Sequence, residues 1–196
     1  MGKFFSNNDH YLNGHLLLAM PSIGDPRFHK AAIYVCAHDE KGAMGIVINN
    51  VLSGLEFGTL LKDLEIESNI TLPKRFEHLP VLSGGPVETA RGFLVHTGDF
   101  KLRDTIEVQE DIHVTGTIDA LTALTEDQSP QNMIFALGYA GWGAGQLEQE
   151  VRDNAWLTLP ATTDLVFNRN RSAIWDQGLK TIGITPEQLS SVTGQA

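Results

Sequence analysis

Four glycines, Gly138, Gly141, Gly143 and Gly145, separate an apolar run, Met133 to Leu137, from the amphipathic stretch Gln146 to Leu157. Five consecutive apolar residues fit a strand buried on both faces. Glycine at this density marks backbone that turns sharply or lies close to other backbone. The spacing predicts that Gly138 ends the strand, that a turn follows, and that a helix begins near Gln146. In that helix Leu147, Val151 and Ala155 fall four apart on one stripe if it runs so far. Glu148 and Arg152 form an acid-first pair on another face.

Gly141-x-Gly143-x-Gly145, after a strand and before a helix, resembles a phosphate-binding loop, in which helix amides hold the anion. Asp164 lies about 20 residues on, where a ribose ligand would stand. The pattern fails at Gln146, where the dinucleotide fingerprint needs its third glycine. Glu148 and Glu150 also oppose an anion at the positive end of the helix. Tight strand-to-helix packing accounts for these glycines better than nucleotide binding.

The chain's 196 residues, 42% of them hydrophobic, suffice for one substantial core in a single domain. A formal charge of −10 repels nucleic-acid phosphates, and no concentrated basic face offsets it, so direct DNA binding is not expected. Arg169 and Arg171 are the densest basic spot, and Asp164 and Asp176 offer them surface pairs. Cys36 is the sole cysteine, which excludes an intrachain disulfide and fits a reducing cytoplasm. The apolar run Leu16 to Met20 is too short for a signal peptide or membrane span.

Strands are expected over residues 15–20, 31–38 and 44–49, the last two forming an antiparallel hairpin across Asp39 to Ala43. Phe57, Leu60, Leu61 and Leu64 recur at helical spacing, with Lys62, Asp63 and Glu65 outward, and a charged loop runs on to His78. Further strands are expected at 80–83 and 92–96, around a turn in which Gly84 and Gly85 can take positive φ before Pro86. A hairpin over 105–114, a helix from Ile118 to Leu124 and a strand at 131–137 follow. After the glycine turn and its helix come a strand at 156–159 and a helix carrying Trp175, Leu179 and Ile182 to Gly183. Thr185-Pro186-Glu187-Gln188 reads as a capping box. Residues 1–13 form an N-terminal extension, 14–189 the domain and 190–196 a polar tail.

Candidate chemical groups are scattered. Tyr34, Cys36 and His38 alternate along one strand and should share a face, but their apolar neighbours indicate a buried, inert thiol. The seven histidines show no metal-ligand spacing within one element, so neither a metal nor another cofactor is expected. His96, at a strand end, should meet solvent or a backbone carbonyl. Glu148 and Glu150 diverge by about 200° around a helix and cannot serve one pocket. Asp25, Arg27 and His29 lie in one loop, where an Asx turn and a surface ion pair explain them as well as a ligand does.

The motifs L-A-M-P-S-I-G-D-P-R-F, A-M-G-I-V-I-N, G-G-P-V with R-G-F-L-V-H, and G-W-G-A-G-Q-L-E occur in this order between about residues 14 and 189. Together they resemble the bacterial YqgE/AlgH family, which is largely uncharacterised, with some members put forward as transcriptional regulators. The resemblance implies a single α+β domain with a curled, mainly antiparallel, mixed sheet, partly barrel-like and flanked by helices. Two positions depart from the family pattern. Gly143 stands where a serine commonly precedes A-G-Q-L-E, and Asn50-Val51 where arginine and proline follow I-N. The expected function is a non-enzymatic regulatory or interaction role with another protein as partner. Asp25, Arg27, His29, Gly84, Gly85, Arg91, Trp142 and Gln146 form its candidate recognition surface, with no catalytic residue assigned. The alternative is a small-molecule or anion binder, or a hydrolase, using a pocket between the Asp25 loop and the Gly141 turn.

Overall fold

Runs such as Leu16-Leu17-Leu18 and Ala31 to Cys36 are apolar at every position because both faces of their strands are covered. The computed structural model describes residues 11–64, 72–116, 118–124 and 128–190. Most of the N-terminal extension and of the tail, and Glu65, lie outside these. In chain order the elements are β1 (His15–Ala19), β2 (Ala32–Asp39), β3 (Gly42–Val47), β4 (Val51–Glu56), α1 (Phe57–Asp63), α2 (Lys74–Glu77), β5 (Pro80–Ser83), β6 (Val87–Thr97), β7 (Thr105–Gln109) and β8 (Ile112–Thr115). Then follow α3 (Ile118–Ala123), β9 (Met133–Gly143), α4 (Gln146–Arg152), β10 (Trp156–Pro160), α5 (Thr163–Val166), α6 (Ile174–Thr181) and α7 (Pro186–Ser190).

The strands of this α+β domain form one sheet in the order β10-β1-β2-β3-β9-β6-β8-β7, with β5 paired to β9 and β4 to β5. Among the described residues every pairing is antiparallel except β5 with β9. The sheet curls into a half-barrel, so that β7 returns against β2. There Gln109 Nε2 donates to the Ala161 carbonyl at 3.5 Å.

Strand alternation then sorts the core into three clusters. Leu16, Leu18, Tyr34, Cys36, Ile46, Val95 and Ile134 point to the inner face, closed by Trp175 and Leu179 of α6. Leu17, Ile33, Val35, Val47 and Ala140 point outward against Leu147 of α4 and Trp156. Leu94, Met133 and Phe135 meet Phe57 and Leu61 of α1, Phe76 of α2 and Leu121 of α3.

The hairpin of β2 and β3, the helices at 57–63 and 118–123, and the capped α7 stand where the sequence places them. In α7's capping box the Thr185 N–H donates to Gln188 Oε1 at 2.7 Å. The glycine-rich segment does not. Gly138 leaves β9 unbroken at a φ of 76°, and the strand continues to Gly143, pairing with β3 and with Val87 of β6. Glycine is required there by close approach: a Cβ on Gly138 would lie 2.5 Å from the Gly85 carbonyl oxygen. The turn into α4 is confined to Ala144 and Gly145, the latter left-handed at φ 71°. Helix α4 ends at Arg152, short of Ala155, and β6 begins at Val87, five residues earlier than Gly92. Strand β4, α2 and α5 have no expected counterpart. Helices α2 and α5 have four residues each, barely one turn, and β4 is interrupted by Ser53 and Gly54, so none carries a periodicity that marks it.

Candidate functional site

Bending of the 21–30 loop over β9 and α4 makes a cleft of about 360 Å³. At its mouth Asp25 accepts the Arg27 N–H at 3.0 Å, the Asx turn that starts a 3-10 turn over Pro26–Phe28. The Arg27 guanidinium folds back on the same carboxylate, with Nε at 3.0 Å from both oxygens and an Nη at 2.6 Å from one. This pairing holds the Asp25 carboxyl below the usual carboxylate range. At the floor, Glu150 Oε2 accepts the indole N–H groups of Trp142 at 2.8 Å and Trp156 at 2.7 Å. Its Oε1 takes the Gln146 amide at 2.8 Å, and Gln146 Oε1 in turn accepts the Gly143 N–H at 3.0 Å. Ile23, Phe28, Pro86, Val87, Ala140 and Ala155 supply apolar walls.

Asp25, Arg27, Trp142 and Gln146 of the candidate recognition surface therefore meet in one place, and the others do not. Gly84 and Gly85 are buried and offer no surface. They let β5 and the start of β6 pack directly on the β9 backbone, where a Cβ on Gly84 would lie 2.3 Å from the Gly138 carbonyl oxygen. Trp142 is also no exposed anchor: it is 8% exposed, packed edge-on to Trp156 and fixed by Glu150. His29 is exposed but does not line the cleft. Arg91 lines a separate apolar cavity, where it stacks over Phe93 and pairs with Glu88 at 3.1 Å.

Glu150 and Trp156 carry no local sequence signal that marks them as part of this cleft. Divergence of Glu148 from Glu150, which keeps the two carboxylates out of one pocket, is also what frees Glu150 for the two indoles. Glu148 faces the other way, 3.3 Å from His38 Nε2. The departure at Gly143 is not forced by packing, since a Cβ there would meet only Gln146 Oε1, at 3.9 Å.

Other polar residues correct the sequence reading. A β-bulge between Val35 and Ala37 breaks the alternation. His38 thereby pairs with Ala43 on the outer face, while Tyr34 and Cys36 stay inside, so the three do not share a face. Burial pushes the Cys36 thiol far above its ordinary pKa, which keeps it protonated. Arg171 is no surface ion-pair partner: it is 8% exposed and donates to the Val166 carbonyl at 2.8 Å. Among the described residues no three His, Cys, Asp or Glu side chains are grouped to hold a metal. No described helix is long and apolar enough to cross a membrane.

His96 meets the expected carbonyl but not solvent. Its ring is fully buried between Thr97 O at 3.0 Å and Thr115 Oγ1 at 2.9 Å, and burial lowers its pKa. The unfolded chain then binds a proton more readily than the folded one. The His96 contribution to stability should be constant above about pH 6.5 and decline below it, with a slope of at most about 1.4 kcal/mol per pH unit. Urea midpoints from pH 8 to pH 5 test this. The decline should shrink in His96→Gln, and an equal decline in both proteins would remove His96 as its source.

The AlgH-like family model matches residues 16–187. A UPF0301 protein of Rhodopseudomonas palustris is 46% identical over 190 residues, covering 95% of this chain and 89% of that protein. Another from Methylobacterium nodulans is 45% identical over 190 residues, covering 95% and 90%. The solution structure of the AlgH protein from Pseudomonas aeruginosa matches with a TM-score of 0.74 at 37% identity, over 97% of each chain. A crystal structure from Corynebacterium diphtheriae has a TM-score of 0.68 at 19% identity, over 91% of this chain and 89% of that one, a likeness of fold alone.

Proposed function

The chain belongs to the AlgH-like family, and from that premise we propose that it is a non-enzymatic regulatory or interaction protein whose cleft beside the Asp25 loop receives a segment of a partner protein. One observation carries this reading: each polar side chain lining the cleft is already bonded within the chain, Asp25 to Arg27, Gln146 to Glu150, and Glu150 to Trp142 and Trp156. Groups held in this way shape a site and fix its rim. A general base or nucleophile instead needs a lone pair aimed at substrate. Apolar walls inside a polar mouth are the usual anatomy of a protein-recognition pocket. An apolar side chain in the cleft, with neighbouring groups bonding to the Asp25–Arg27 rim, is the expected contact.

Selection of extended peptides from a random displayed library tests this. Binders should share an apolar residue and lose affinity for Arg27→Glu, an exposed change that places a second carboxylate at the mouth. Peptides that bind both proteins equally would argue against the cleft. A second reading, a small-molecule ligand in the same place, draws support from the volume of about 360 Å³, within the range such pockets occupy.

A further inference from the structure

Fourteen cationic side chains stand against 24 acidic ones in this chain, yet three arginines gather around one cavity, remote from the Asp25 cleft, with no carboxylate in its lining among the described residues. The cavity holds about 360 Å³ between α2, the residues leading into β9, and the loop after α5. Arg171 contributes from a buried position, and among the described residues its side chain makes one hydrogen bond, from an Nη to the Val166 carbonyl. A guanidinium carries five N–H donors, so most of this buried fork has no acceptor among the described residues, and no acid pairs with it there. Burial pulls its pKa down to about 10, still charged at neutral pH. Arg169 is exposed at the rim with no side-chain partner among the described residues. Arg75, also exposed, lies over the Phe76 ring and donates to Ser129 Oγ at 2.8 Å and the Pro130 carbonyl at 3.2 Å, leaving further donors. Glu56, 2.8 Å from His78, raises the pKa of that imidazole, and the pair it forms when protonated adds no net charge.

The loop bearing Arg169 and Arg171 is braced from within. Asn168 Nδ2 donates to Gln177 Oε1 of α6 at 2.6 Å, its Oδ1 accepts the Asn170 N–H at 2.8 Å, and Ser172 Oγ donates to Asn170 Oδ1 at 2.8 Å. Three guanidiniums with no carboxylate in the described lining of their cavity, one of them on a largely buried side chain with donors left over, suit an oxyanion. Phe76 and Phe167 line the same cavity and add apolar surface beside the charged groups. We propose that this cavity is a binding site for a phosphate monoester, its phosphoryl group held by Arg75, Arg169 and Arg171 and its apolar or ring portion against Phe76 and Phe167. Guanidinium forks fit phosphoryl oxygens bidentately, and three of them suit a dianion better than a single carboxylate.

The site is independent of the Asp25 cleft, and its test uses the full chain with inorganic phosphate and phenyl phosphate in chloride buffers of matched ionic strength. The thermal midpoint should rise with the logarithm of either concentration, and titration calorimetry should show phenyl phosphate the tighter of the two. Arg169→Gln and Arg75→Gln, both at exposed positions, should each weaken binding about tenfold. Arg27→Glu should leave it unchanged. The proposal is overturned by a midpoint no higher than in chloride, by wild-type binding in both glutamine variants, or by loss of binding in Arg27→Glu, which would move the anion to the other cleft. Phenyl phosphate no tighter than phosphate would overturn its assignment to an ester.

Discussion

Gly85→Ala is expected to lower the unfolding free energy by about 4 kcal/mol or more, a large share of the about 5–15 kcal/mol that holds an ordinary domain folded. A Cβ at this position would lie 2.1 Å from the Tyr139 carbonyl carbon and 2.4 Å from the Ala140 nitrogen, and φ is 151°. These are backbone atoms of β9, which cannot rotate aside as a side chain would. Displacing them disturbs a strand that pairs with β3, β5 and β6. Gly24→Ala is the control, since a Cβ there meets nothing within 4 Å and φ is not positive. Its effect should stay within about 0.5 kcal/mol. Urea unfolding followed by circular dichroism measures both, and a wild-type midpoint for Gly85→Ala would contradict the close approach of these strands.

Glu150→Ala should cost about 3 kcal/mol. Two indole N–H donors in the outer cluster would lose one shared carboxylate oxygen, and an unsatisfied buried donor costs about 1–3 kcal/mol. Glu150→Gln keeps one acceptor oxygen and should lose less. Because water would reach the loosened indoles, tryptophan emission should shift to the red in Glu150→Ala before any unfolding. An unchanged spectrum and midpoint would show that Glu150 does not hold the cleft floor.

Much of the fold is legible in the sequence because it rests on periodicities that local residues carry. Strand runs buried on both faces, the stripe of α6 and the Thr185 box are examples. What is not legible depends on what lies across the chain. Gly138 looks like a terminator until the Gly85 carbonyl is placed against it. The bulge at Cys36 leaves no mark in the residues around it, yet it moves His38 to the other face. The candidate site divides in the same way. The Asx turn of Asp25 and its pair with Arg27 lie within three residues and could be read directly. Trp142 reads as a surface residue because nothing local shows that Glu150 and Trp156 enclose it. Arg171 likewise reads as a surface cation until α5 presents the Val166 carbonyl to it.

Recognition by the Asp25 cleft is tested most directly by mass spectrometry, under non-denaturing conditions, of complexes captured from the native cell with the wild-type chain and with Arg27→Glu. The expected result is one protein in fixed stoichiometry with the wild type and its loss with the variant. Recovery of the chain alone, carrying a small molecule that Arg27→Glu releases, would contradict a protein partner and assign the cleft to a metabolite.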